Sequence, residues 1–80
     1  MTYYVYVLRS LSTTNRYIGQ TNNLTYRLAK HNSGRSKYTK NRGPWELIYS
    51  EKYSLRTEAM RREKFLKSGV GREFLDSLSE

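Results

Sequence analysis

Two tyrosine-bearing segments, Tyr4-Val5-Tyr6 and Tyr17-Ile18-Gly19, lead into a helical stretch carrying Arg27 and His31. Phenols and an imidazole exchange protons, and a guanidinium holds an oxyanion, so the set suits acid–base work on an anionic partner. The chain has no cysteine and one histidine. That excludes a disulfide framework, a thiolate zinc site and a multi-histidine metal site. Any metal would be a hard cation held by oxygen ligands and water.

Charge narrows the partner. Fifteen Lys and Arg against seven Asp and Glu give a formal charge of +8, so a polyanion is expected, nucleic acid first. Eight tyrosines among these cations favour phosphate and base contact over a surface charged only for solubility. At 80 residues the expectation is one domain, 1–80, with one small core. No apolar run approaches the ~20 residues of a membrane span and no signal-peptide pattern opens the chain, so a soluble cytoplasmic protein is expected.

The elements that must position the cluster follow from patterning. Tyr3 to Ser10 reads as a central strand, with Tyr4, Tyr6 and Leu8 on one face and Tyr3, Val5 and Val7 on the other. After the turn cluster Ser12 to Asn15, Arg16 to Gln20 makes a second strand. Pairing Ser10 with Thr13 would set Tyr6 opposite Tyr17, with Cβ atoms about 5 Å apart. A helix capped from Thr21, Asn22 or Asn23 should run over Leu24 to Asn32, ending before Gly34. It places Arg27 and His31 at i and i+4, flanking the buried Leu24 and Leu28. A basic loop, Ser33 to Pro44, precedes a third strand over Trp45 to Tyr53, with Leu47 and Tyr49 opposite Ile48. Ser54 should cap a helix over Leu55 to Ser68, and a short helix over Arg72 to Leu78 closes the chain. In the longer helix Leu55, Ala59, Met60, Leu66 and Val70 share one arc. Glu63 falls inside that arc, a costly place for an unpaired carboxylate, while Arg61, Arg62, Lys64 and Lys67 fan toward water.

The order strand-strand-helix-strand-helix-helix, carrying Tyr6, Tyr17-Ile18-Gly19, Arg27, His31 and Glu63, resembles the GIY-YIG nuclease family over nearly the whole chain. Its short, free-standing bacterial type is the most similar, sharing His31-Asn32-Ser33-Gly34, Trp45-Glu46-Leu47 and Arg62-Glu63-Lys64. Two positions depart from the family pattern: Tyr4 stands where the family name has glycine, and no asparagine follows Asn41.

The resemblance implies an α/β (α+β) fold with a small three-stranded antiparallel sheet flanked by helices. It also implies hydrolysis of a phosphodiester, which needs a base for water, stabilisation of transition-state charge and help for the leaving oxygen. By resemblance Glu63 is the lone protein ligand of a divalent metal, Mg2+ or Mn2+; the plain alternative is an ion pair with Arg27 or another basic neighbour. By resemblance Tyr6 and Tyr17 are the two site tyrosines, and the sequence does not fix which takes the proton. Tyr6 is favoured as the base, its pKa brought down by Arg27 and the positive field, with Tyr17 ordering the water and the metal shell; two packed strand tyrosines are the competing reading. Arg27 would hold the non-bridging oxygens. His31 would donate to the phosphate or shuttle a proton, or else only cap its helix. Gly19 gives backbone clearance. Arg35, Lys37, Lys40 and Arg42 would grip backbone phosphates, or form a solvated loop.

The expected activity is therefore metal-dependent nicking of DNA, as in repair or recombination, with weak sequence preference. Substrate structure, a protein partner or a transient dimer would supply selectivity. The alternative is a non-catalytic nucleic-acid-binding module that keeps the nuclease fold.

Overall fold

The computed structural model describes residues 1–34, 39–40 and 42–78. Strand β1 (Tyr3–Ser10), apolar on both sides, lies in the middle of an antiparallel sheet of order β2-β1-β3, with β2 over Arg16–Thr21 and β3 over Trp45–Tyr53. Burial of both faces is what such a run requires: Val5, Tyr6, Val7 and Leu8 are all buried. One face carries Val5 and Val7 with Ala59, Leu66 and Leu75 from helices α2 (Arg56–Leu66) and α3 (Gly69–Ser77). The other carries Tyr6, Leu8 and Trp45, against which Tyr17 and the α1 (Leu24–Asn32) residues Leu24 and Leu28 pack. The α+β architecture and the order β-β-α-β-α-α are those the sequence implies. No helix among the described residues is long and apolar enough to cross a membrane.

Three local features differ from the pattern-based expectation. Tyr6 pairs with Gly19, and Tyr17 with Leu8. The register is two residues off because the β1–β2 turn is wider: the Ser10 N–H donates to the Asn15 carbonyl, and Ser10 Oγ accepts from the Ser12 and Thr13 N–H groups. An even shift preserves the face, so both tyrosines still point to the α1 side. In β3, Tyr49 pairs with Val7 and Leu47 with Leu8, skipping Ile48. This bulge puts Leu47 and Tyr49 on opposite faces, where simple alternation puts them on one. Tyr49 thereby meets Phe74 edge-on, ring centroids 5.7 Å apart.

The third difference lies in the helices. Helix α2 starts at Arg56 with no side-chain cap, so Ser54 does not cap it. Ser68, expected as the last residue of α2, instead caps α3 by accepting from the Gly71 N–H, which starts α3 at Gly69 rather than Arg72. Gly71 is buried against the backbone of Phe65 and Leu66, which leaves no room for a Cβ. Of the expected apolar arc, Ala59 and Leu66 are buried, but Leu55, Met60 and Val70 are 59, 52 and 63 % exposed.

Arg62 does not fan toward water. Its Nε and Nη2 donate to Glu51 at 2.9 and 3.0 Å, and its guanidinium lies over the Phe65 and Phe74 rings, 4.7 and 5.3 Å from their centroids. The Tyr49 and Tyr53 hydroxyls donate to the same carboxylate. Burial alone would raise the Glu51 pKa, but these donors outweigh it and hold it below the ordinary value. Removing one partner of so well-connected a group is costly. Glu51→Ala should lower stability by about 2 kcal/mol in urea unfolding. A lowered folded pKa means that the unfolded chain binds the extra proton in acid. The Glu51 contribution is thus complete above its ordinary value of 4.5 and fades as pH falls below it; the alanine variant should lose that acid sensitivity.

Candidate active site

Tyr6 sits mid-β1 with its whole side chain buried. It fits because the residue opposite is Gly19: a Cβ there would lie 2.7 Å from the Tyr6 oxygen and 3.0 Å from Tyr17 Cε1. The clearance expected of Gly19 is therefore clearance for the phenol itself. Asn23 caps α1 by accepting from the Tyr26 N–H, and this short helix lays His31 over the two tyrosines. The Tyr6 hydroxyl is 3.0 Å from His31 Nε2, and the imidazole centroid is 4.6 Å from that of Tyr17. His31 is not a helix cap. It is buried, and its Nδ1 lies 2.9 Å from Oγ1 of a second buried polar residue, Thr39.

Protonation follows from the donors. The Arg27 guanidinium faces the Tyr6 oxygen and can only donate. With the Tyr6 hydroxyl donating to His31 Nε2, the imidazole proton is on Nδ1 and is donated to Thr39; the other tautomer reverses both bonds. Burial lowers the His31 pKa, helped by the charges of Arg27 and Lys30, so the ring is neutral at pH 7. The expectation that Arg27 would bring Tyr6 down is overturned. Burial outweighs Arg27 and pushes the phenol up to about 12. Arg27 itself keeps one unused group: its Nε is buried and makes no hydrogen bond among the described residues, a rare condition for a buried donor.

Two residues that sequence reasoning passed over hold this arrangement. Thr39 receives His31, and its carbonyl accepts from Trp45 Nε1 at 3.1 Å. Asn32 clamps the end of α1 to the start of β3, accepting from the Trp45 N–H at 2.6 Å and donating to the Trp45 carbonyl at 3.1 Å. Thr39 carried no local signal, being one polar residue in a polar loop. Asn32 stood within a quoted motif, but only the docked strand shows its role.

Glu63 comes from another helix than Arg27 and His31. It lies on α2, which packs on the opposite sheet face from Tyr6, and its side chain is 22 % exposed. Lys67 donates to its Oε2 at 2.8 Å. The ion pair weighed as the alternative for Glu63 thus exists, with Lys67 rather than Arg27. The two faces meet at edge strand β2, where Tyr17 and Lys67 line one cleft of about 580 Å³. Among the described residues no three His, Cys, Asp or Glu side chains gather as a metal cluster. Glu63 Oε1, which makes no hydrogen bond among the described residues, fits a cation held by one carboxylate and water. In the basic loop, Lys40 is exposed, and the Arg42 carbonyl accepts from Ser10 and Ser12 Oγ, tying the loop to the β1–β2 turn. Arg35 and Lys37 lie outside the described residues.

His31 should titrate below 6.5 by NMR, with Nδ1 protonated at neutral pH; a midpoint above 6.5 would contradict the buried neutral ring. Because the unfolded histidine binds its proton more readily, stability should fall as pH drops through 6.5 toward the folded value. Thr39→Val should cost about 1–2 kcal/mol in chemical unfolding and disturb the tautomer.

Comparison with known proteins shows the family. The GIY-YIG catalytic domain model matches residues 2–73. A UPF0213 protein of Oceanobacillus iheyensis is 44 % identical over 66 residues, covering 81 % of this chain and 76 % of its own. One from Staphylococcus haemolyticus is 39 % identical over 79 residues, covering 98 and 95 %. The solution NMR structure of a UPF0213 protein from Bacillus halodurans superimposes with a TM-score of 0.59 at 38 % identity, over 98 % of this chain and 85 % of that one. With its tyrosines, Arg27 and His31 set on the matching fold, this chain belongs to the GIY-YIG family of nuclease domains.

Proposed function

We propose that this chain is a metal-dependent endonuclease of one domain and one site, which nicks DNA with little sequence preference. The observation that carries the reading is the buried Tyr6–His31–Thr39 chain set against Arg27, whose Nε is without a partner among the described residues. A phosphodiester entering beside Gly19 would give its non-bridging oxygens to Arg27, whose fork matches them. With its pKa near 12, Tyr6 is not a phenolate at neutral pH. It works as a relay: Tyr6 takes a proton from the attacking water while passing its own to the neutral His31 Nε2. Water oxygen bonds to phosphorus, the opposite P–O bond breaks, the leaving oxygen takes a proton from solvent water, and His31 returns its proton to solvent. Tyr17, tilted against His31, orients the water.

Mg2+ or Mn2+ bound by Glu63 and water would stabilise the charge that develops on the phosphate and the leaving oxygen. Lys67 holds Oε2, so the cation would take Oε1 and weaken that ion pair. The exposed, flexible Lys67 side chain can turn to a phosphate instead. Arg35, Lys37, Lys40 and Arg42 are proposed to hold the backbone away from the cut. A single site makes one cut, so a partner or a transient dimer would be needed for a double-strand break. The Lys67–Glu63 pair also favours a second reading, a binding module without catalysis.

Nicking of supercoiled plasmid decides between them. Wild type with Mg2+ or Mn2+ should convert plasmid to open circle, and Tyr6→Phe and Glu63→Ala should each be at least about 100-fold slower. The rate should fall in acid, with a midpoint below 6.5 as His31 gains its proton. Wild type no faster than Glu63→Ala, on nicked, branched and duplex DNA alike, would leave the binding module as the surviving reading.

A further inference from the structure

Strand β2 is an edge of the sheet, and a recess opens at each of its ends. At the start, the cleft between β2, α2 and α3 is lined by Tyr17, Lys67 and Arg72 among others. At the finish, a polar recess of about 360 Å³ is lined by Gln20, Thr21, Arg27 and Arg56, where β2 hands over to α1 and the first turn of α2 comes alongside. Gly19 lies between the two.

The cations in these recesses differ in what they are doing. Arg16 is paired with Asp76 and Lys67 with Glu63, both at 2.8 Å. Arg56 and Arg72 are exposed, and neither side chain has a hydrogen bond or ion pair among the described residues. Arg27 contributes the buried Nε without a partner. Guanidinium groups left unmatched on a concave polar surface suit phosphate oxygens, which accept in the geometry the fork offers. The spacing suits a nucleic acid strand. From Tyr17 to Thr21 the edge runs roughly 13 Å at strand rise, a length that a duplex strand covers in about four nucleotides at about 3.4 Å each.

Resting on the nuclease reading above, we propose that one substrate strand lies along the β2 edge, with Arg27 at the phosphate to be cut, Arg56 beside it in the recess at the finish of β2, and Arg72 on a flanking phosphate in the cleft at its start. These are contacts to the backbone of one strand. Binding is therefore independent of sequence, and the second strand of a duplex is not required.

The test is binding rather than cleavage. Fluorescence anisotropy is read with the full chain in EDTA, using a short fluorescein-labelled single strand and the matching duplex, over a range of salt. Arg56→Ala and Arg72→Ala should each weaken single-strand binding about three- to tenfold at low salt and flatten the salt dependence by about 0.7 of a log unit per log unit. Lys52→Ala, an exposed cation on β3 at the other side of the sheet, should change neither. Both arginines being exposed, urea midpoints should stay at the wild-type value. Wild-type slopes in both arginine variants overturn the track. If that wild type nicks plasmid, the nuclease reading survives alone; if the slopes flatten but nothing nicks, the track stands and the chemistry does not.

Discussion

The buried hydrogen bond between Tyr6 and His31 is the constraint to which most of this structure answers. A tyrosine on the central strand of so small a domain is fully enclosed, and its hydroxyl must find a partner there or bear the cost of desolvation. The partner has to come from another element, because neighbouring strand backbone is already paired in the ladder. Helix α1 supplies it, and Gly19 leaves the volume that the phenol needs. The loop after α1 must then return far enough for Thr39 to receive the other ring nitrogen. Asn32 and Trp45 hold that loop and β3 in register with the helix end. The bonds from Tyr6 to His31 and from Asn32 to Trp45 join segments 25 and 13 residues apart.

The two faces of the sheet are specialised by the same logic. The α1 face takes proton-exchanging groups because its core is aromatic and partly polar, with histidine and threonine inside. The α2–α3 face buries aliphatic residues and one charged knot, Glu51 with Arg62, Tyr49 and Tyr53. That knot gives its carboxylate donors from three side chains. Among the described residues the buried side-chain group without a partner is Arg27 Nε, on the other side. Strand β2, open along one edge, is where the two faces meet, and Tyr17 lines the cleft there with Lys67.

Electrostatics inside so small a site turns on which effect is larger. Arg27 close to Tyr6 favours the phenolate, but removing the phenol from water opposes it more strongly, and the pKa rises. For His31 burial and positive neighbours act in one direction, and the pKa falls. The result is a protonated phenol facing a neutral imidazole, a pair able to pass a proton without either group carrying a charge beforehand.

Much of this was legible in the chain. Apolar residues on both sides of Tyr3–Ser10 mark a central strand, and Asn23 and Gly34 bracket α1. The spacing of Arg27 and His31 puts them along one side of that helix. What alternation and helical periodicity could not carry was any feature made by contact. The bulge at Ile48 breaks the period, and Ser68 is both a plausible end for one helix and a cap for the next. Arg62 looks solvent-directed until β3 presents Glu51. Residue type and order alone determined the fold, the grouping of two phenols, a guanidinium and an imidazole, and the basic character that calls for a polyanion. Only the tertiary structure decided the direction of the Tyr6 pKa, the role of Thr39 and the pairing of Glu63 with Lys67. Those depend on how much water is excluded and which donor arrives from across the sheet, and neither quantity is local to the chain.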